Sequence, residues 1–132
     1  MILDTSALAA IFFGEPEAVL YTQLIHGADR CLMSAANFVE LCIVIESQIG
    51  PDAGRQCDAF FRRAGIVIEP VTIEQAHLAR QAFLDFGKGR QAAGLNFGDC
   101  FAYGFPAALQ ECPHFRRCPC RITPLLRYPA RP

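Results

Sequence analysis

No apolar run in this chain approaches the ~18 residues needed to cross a bilayer. No basic segment opens it either, and Asp4 interrupts the apolar start. Neither a membrane span nor a secretory leader is expected. Charge is sparse: 19% of the 132 residues are charged and 52% are hydrophobic, the balance of a folded chain and not a disordered one. Lysine is nearly missing. Lys88 is the single one among 12 basic residues, a usage that fits a GC-rich source. An even set of cysteines is lacking as well. Of the seven, Cys31, Cys42, Cys57 and Cys100 fall within apolar patterns, as small buried hydrophobes of a reducing compartment would. The expectation is one soluble, cytoplasmic domain that buries roughly two-thirds of its unfolded surface without disulfides.

What is present is an alternation of short apolar runs with helical periods. Residues 2–4 read as a first strand, followed by a helix from Ala7 that Thr5 or Ser6 caps. Gly14-Glu15-Pro16 breaks it, and a second helix over residues 17–26 places Leu20, Leu24 and Ile25 on one face. Cys31-Leu32-Met33 reads as a second strand. Ser34 then caps a helix to about Gln48, with Phe38, Leu41, Ile45 and Ile49 spaced for burial and Glu40 beside that face. A helix over 52–64 turns Phe60 and Phe61 inward. A β-branched strand, Ile66-Val67-Ile68, reads as buried on both faces. Thr72 caps a helix through Phe86 with Ile73, Ala76, Ala79 and Phe83 in register, and Asn96 opens another with Asp99 in its first turn. Strands alternating with helices predict a parallel sheet with helices on both faces. There is no internal repeat.

After Tyr103 the pattern stops. Residues 104–132 hold six of the nine prolines, together with Cys112, Cys118 and Cys120, and Gly104-Phe105-Pro106 reads as a helix break. The C-terminal strands of the sheet are expected to be missing or irregular, with Leu125-Leu126 the one candidate for an edge strand. Charge changes sign at the same place. Twelve acids and seven bases give −5 through Tyr103; one acid and five arginines give +4 beyond it. Such a shift is what a reading-frame change in GC-rich DNA produces. Cys112, His114, Cys118 and Cys120 could alternatively be read as a zinc cluster, though C-x-H and C-x-C are tighter than the usual spacings.

Three segments carry a resemblance. They are Ile2-Leu3-Asp4-Thr5-Ser6, then Ser34-Ala35-Ala36-Asn37-Phe38-Val39-Glu40-Leu41, and Gly87-Lys88-Gly89-Arg90 leading to Leu95-Asn96-Phe97-Gly98-Asp99-Cys100-Phe101-Ala102-Tyr103. In this order the chain resembles the PIN-domain nucleases, and most closely the VapC-type ribonuclease toxins of toxin–antitoxin systems. The resemblance covers residues 1–103, so the organisation expected is a PIN-like three-layer α/β/α domain over 1–103 and an atypical tail over 104–132. It implies a Mg²⁺- or Mn²⁺-dependent endoribonuclease, cutting tRNA or another RNA and held inactive by a cognate antitoxin. A homodimer is also expected, with Phe12, Phe13 and Leu20 exposed on the early helices and the acidic body facing a basic or apolar antitoxin segment.

Asp4, Glu40 and Asp99 are the expected catalytic and metal-holding residues, since phosphodiester hydrolysis draws on a hard divalent ion and Mg²⁺ takes few protein carboxylates. Thr5 and Ser6 could donate to a metal-bound water or a phosphate oxygen, and Asn96 could position Asp99. Lys88 and Arg90 could meet RNA phosphates. Each acid alone also has a plain reading. Asp4 would cap a helix, Glu40 would sit solvated on one, and Asn96 to Asp99 has the form of a capping box. The rivals in function are a catalytically impaired, antitoxin-binding remnant and a small metal-dependent phosphatase. Against the last, Ser6 stands where a second aspartate is usual.

Overall fold

In a computed structural model, which describes residues 1–89, 94–108 and 121–122, a two-residue strand sorts the whole core. Strand β1 (Ile2–Leu3) sends its two side chains to opposite faces. Leu3 joins a large cluster with Cys31, Met33 and Ile66 of the neighbouring strands. Ile2 instead packs with Leu32 and Phe105. The chain continues through α1 (Thr5–Phe13), α2 (Ala18–His26), β2 (Cys31–Ser34), α3 (Ala35–Ile49), α4 (Asp52–Ala64), β3 (Ile66–Glu69), α5 (Ile73–Phe86), α6 (Phe97–Ala108) and β4 (Arg121–Ile122).

The strands lie in the order β3-β2-β1-β4, all parallel. From β1 the chain steps to β2 and then β3, and helices α1 to α4 pack on the Leu3 face. It then crosses back to β4 on the other side of β1. Crossovers of one hand, stepping in the opposite direction, must cover the opposite face, and Phe105 of α6 does lie there. The result is a three-layer α/β/α domain. The strand order reverses between β1 and β4, so the ligand-binding crevice of such a sheet falls at the C-terminal end of β1.

Several elements differ from the sequence reading, each for a packing reason. Asp4, not Thr5 or Ser6, caps α1: its backbone is extended (φ −101, ψ 156) and its side chain accepts the Thr5 N–H. In α2 the buried residues are Tyr21 and Ile25, while Leu20 and Leu24 are exposed, because α2 rests on α1 through a narrow stripe. In α3, Leu41 and Ile45 are buried but Ile49 is exposed at the last turn. Phe12 and Phe13 are half-buried against the core, and Phe12 meets Phe60 edge-on at 5.7 Å. Strand β3 is the sheet edge, so Val67 and Ile68 are exposed and Ile66 alone is buried. Helix α5 buries Gln75, Ala79, Ala82 and Phe86, with Ile73 80% exposed. Its capping box explains the shift: Gln75 turns back to the Thr72 N–H (3.1 Å) and so occupies the inner face of the first turn.

The largest departure is at α6. It does not break after Tyr103 but runs on to Ala108, through Gly104 and Pro106. A proline keeps helical φ and forfeits one backbone hydrogen bond. Gly104 has a positive use. A Cβ there would lie 3.0 Å from the Ala79 nitrogen and 3.0 Å from the Gln75 oxygen, both backbone atoms of α5. The glycine lets the two helices touch, and between them they enclose Ala79, Ala82, Phe86, Leu95 and Cys100. A C-terminal strand is also present: Arg121–Ile122 pairs with β1 in register Ile2 to Arg121 and Leu3 to Ile122. Leu125 and Leu126 lie outside the described residues.

Cys31, Cys57 and Cys100 are buried and Cys42 half-buried, all as free thiols. Burial pushes the Cys57 thiol up to about 12 and that of Cys100 up to about 11, so both behave as neutral packing groups. Among the described residues no helix is long and apolar enough to cross a membrane.

The Gly104 contact yields a signed expectation. Gly104→Ala should gain roughly 0.5–1 kcal/mol in helix propensity, yet the backbone of α5 cannot yield by rotating a side chain. Overpacking of this kind costs ~1–3 kcal/mol. A net loss of about 1 kcal/mol is expected in urea denaturation, and an unchanged or higher midpoint would show that α5 and α6 are not held in contact here.

Candidate functional site

Three elements deliver polar residues to the end of β1. The first is the strand itself, which turns into α1 with no linker. Asp4 is 4% exposed, and its carboxylate accepts the Thr5 N–H at 2.8 Å and the Ser6 hydroxyl at 2.9 Å. The second is α3, which starts directly off β2 because Ser34, the last residue of that strand, is also its cap: its hydroxyl accepts the Ala36 N–H at 3.3 Å. Asn37 and Glu40, one turn apart on α3, therefore rise beside Thr5. The third is the start of α6. The loop ahead of it is closed at its base, with the Leu95 N–H donating to the Phe86 carbonyl (2.9 Å) and the Lys88 N–H to the Leu95 carbonyl (3.1 Å).

The contacts run in series. Thr5 Oγ1 donates to Glu40 Oε2 at 2.6 Å. Asn37 Nδ2 donates to Thr5 Oγ1 at 3.2 Å and to the Gly98 carbonyl at 3.0 Å. The Glu40 carboxylate lies against Gly98, where any Cβ would overlap it. Asp99 follows directly. It is locked in a reciprocal box: the Asn96 N–H donates to Asp99 Oδ2 at 2.9 Å and the Asp99 N–H to Asn96 Oδ1 at 2.8 Å. Asp4, Glu40 and Asp99 are thus linked through Thr5 and Gly98 along one sheet edge. Among the described residues, no three His, Cys, Asp or Glu side chains close into a single cation cage.

The hydroxyls of Thr5 and Ser6, expected to serve a phosphate oxygen or a metal-bound water, donate to the Glu40 and Asp4 carboxylates in this structure. Each has one proton, and the acids are its nearest acceptors. Lys88 is exposed at the base of the loop. Arg90, Cys112, His114, Cys118 and Cys120 lie outside the described residues. Two residues of the site were given no role by sequence reasoning. Asn37 had a signal, a polar residue one turn before Glu40 on an inward-facing helix stretch. Gly98 had none, since its value is the space that it leaves for a side chain far earlier in the chain.

As a donor set the described residues of the edge offer carboxylate, hydroxyl and amide oxygens. That suits a hard divalent cation, which retains waters and can reach some carboxylates through them. An apolar cavity of about 400 Å³ between α5 and α6, lined by Ala76, Phe83, Phe97 and Phe101 among others, includes none of the three acids.

The PIN domain family matches residues 1–105. Ribonuclease VapC28 of Mycobacterium tuberculosis is 47% identical over 112 residues, 84% of this chain and 84% of its own. Ribonuclease VapC30 of the same organism is 42% identical over 104 residues, 79% of each chain. A ribonuclease VapC of Mycolicibacterium smegmatis is 45% identical over 103 residues, 78% of this chain and 80% of its own. In fold, the chain is similar to the crystal structure of Mycobacterium tuberculosis VapC20, a sarcin–ricin loop cleaving toxin. The TM-score is 0.66 at 18% identity, covering 83% of this chain and 82% of that one. The chain belongs to the PIN-domain family, among the VapC ribonucleases.

The crowding at Gly98 can be tested by itself. Gly98→Ala should keep the fold, since alanine favours a helix by ~1 kcal/mol over glycine, while forcing the Glu40 carboxylate off Thr5. In a double-mutant cycle, Thr5→Val should cost about 1–2 kcal/mol in the wild-type background and less after Gly98→Ala, where only its bond from Asn37 remains to be lost. Equal costs in both backgrounds would mean that Glu40 does not depend on this space.

Proposed function

We propose that the chain is a cytoplasmic, Mg²⁺- or Mn²⁺-dependent endoribonuclease toxin neutralised by a cognate antitoxin. The observation that carries this reading is the 2.6 Å hydrogen bond from Thr5 to Glu40, which brings the α3 acid to the strand end that bears Asp4. Asp4, Glu40 and Asp99 would hold the cation, which when bound lowers the pKa of its water and offsets charge on the phosphoryl oxygens. The chain's own residues do the orienting. Ser6 fixes one Asp4 oxygen and the Thr5 N–H the other. Thr5 fixes Glu40 Oε2, and Asn96 fixes Asp99 Oδ2.

RNA is the substrate that the ribonuclease relatives support; Lys88 and Arg90 are proposed to meet its phosphates, and which RNA is cut is left to the assay. The antitoxin is proposed to bring a basic or apolar segment, because residues 1–103 carry −5 and Val19, Leu20 and Leu24 are exposed on α2. A homodimer is part of the same proposal. The remnant reading is not favoured: β4 fills the edge beside β1, and α6 continues past Tyr103. Residues 104–132 are proposed to be an atypical C-terminal part of this domain, which α6 enters as far as Ala108 and Arg121–Ile122 joins at the sheet.

RNA cleavage by the purified chain should need Mg²⁺ or Mn²⁺, and Asp4→Asn, Glu40→Gln and Asp99→Asn should each reduce it to background. Full activity in a chelator, or in any one of these variants, would remove the assignment. Melting separates metal holding from capping. Bound cation stabilises by mass action, ~2.7 kcal/mol at a hundredfold excess over Kd, so Mn²⁺ should raise the wild-type Tm and raise that of Asp99→Asn much less. Equal shifts would leave Asp99 as a helix cap alone.

A further inference from the structure

Asn37 is 1% exposed, and among the described residues its Oδ1 is the buried side-chain polar atom without a hydrogen-bond partner. A buried amide with half its bonding capacity unused is destabilising compared with an apolar residue of that size. Its position suggests what offsets that. We propose that Asn37 is a positioning residue for the metal-dependent cleavage, clamping the first turn of α6 to the β1–α1 junction and directing the Thr5 proton onto Glu40. The inference rests on the reading of this edge as a divalent-metal nuclease site.

Two N–H groups carry the argument. One goes to Thr5 Oγ1 (3.2 Å), next in sequence to Asp4; the other goes to the Gly98 carbonyl (3.0 Å), next in sequence to Asp99. Asn37 itself stands one helical turn before Glu40. A single side chain therefore joins all three segments that carry the acids. It also sets a proton. Thr5 Oγ1 lies 3.3 Å from the Asn37 carbonyl and 2.6 Å from Glu40 Oε2, and its one hydrogen can serve only one of them. By donating to that oxygen, the Asn37 amide occupies an acceptor position, and the hydroxyl proton goes to the nearer carboxylate. Glu40 Oε2 is thereby fixed, and Oε1 is left for a ligand. Groups that orient carboxylates in this way typically change metal affinity ~10–100-fold when removed.

The test compares wild type with Asn37→Ala, Asn37→Ser and Thr5→Val. Three things are measured: Mn²⁺ affinity by calorimetry, metal-free hydrogen exchange of amides 98–101, and RNA cleavage against Mn²⁺ concentration. Asn37→Ala should bind Mn²⁺ ~10–100-fold more weakly and, without metal, exchange faster at the start of α6. Its cleavage should recover as Mn²⁺ is raised. Asn37→Ser, which keeps one donor, should fall between. Should Asn37→Ala fail to fold, Asn37→Ser, which keeps a polar side chain at the same place, is read by the same Mn²⁺ affinity and exchange and decides instead. Unchanged Mn²⁺ affinity together with unchanged exchange overturns the clamp, whatever happens to the melting temperature. A wild type that binds Mn²⁺ but cuts no RNA overturns the nuclease reading alone. One that binds no Mn²⁺ overturns both.

Discussion

The structure turns on the absence of any linker between β1 and α1. Leu3 is the last residue of the strand, Asp4 is still extended, and Thr5 is already helical. A carboxylate at that junction caps the helix and stays at the sheet edge, because the backbone has no spare residue with which to carry it elsewhere. Its 4% exposure is tolerable since a backbone N–H and a hydroxyl donate to it. The same economy recurs at β2, where Ser34 ends the strand and caps α3. Two strand-to-helix switches on adjacent parallel strands place the α1 and α3 N-termini side by side, and Thr5 meets Glu40 there.

Helix α6 reaches this place from the other face of the sheet, so its approach must be close, and two glycines make it so. Gly98 leaves room for the Glu40 carboxylate, and Gly104 lets α6 lie against the backbone of α5. Neither has a positive φ; both are used for the missing Cβ. The fold thus places its polar site where the apolar layers end, and α3 of one layer meets α6 of the other across that edge. On the Leu3 face the packing is ordinary and dense, with Leu8, Leu41 and Ile45 fully buried, each a contribution of about 1.5–3 kcal/mol.

The acids were legible because chemistry and position coincide. A carboxylate after a first strand, another on the helix that follows the second, and a third in a capped helix start are local signals. Each of Asp4, Glu40 and Asp99 alone also reads as a cap or a solvated residue, and it was their joint occurrence within the resemblance to the family that singled them out. Asn37 was harder, since an asparagine in a helix is common and its meaning lies in partners 32 and 61 positions away.

By itself the sequence determined the element order as far as the start of α6, the parallel α/β class, the burial of Cys31, Cys57 and Cys100 and the capping residues Ser34 and Thr72, because each follows from local periodicity, turn chemistry or composition. Tertiary structure alone decided which face of each helix is covered. Leu20, Leu24, Ile73 and Phe83 have the right spacing for burial yet stay exposed, since helical period fixes a stripe but not the neighbour that covers it. It also decided that β3 is an edge, and that Pro106 sits within a helix held by contact with α5. The pairing of Arg121–Ile122 with β1 was likewise invisible, because a two-residue strand has no period to read, and its partner, β1, lies at the far end of the chain.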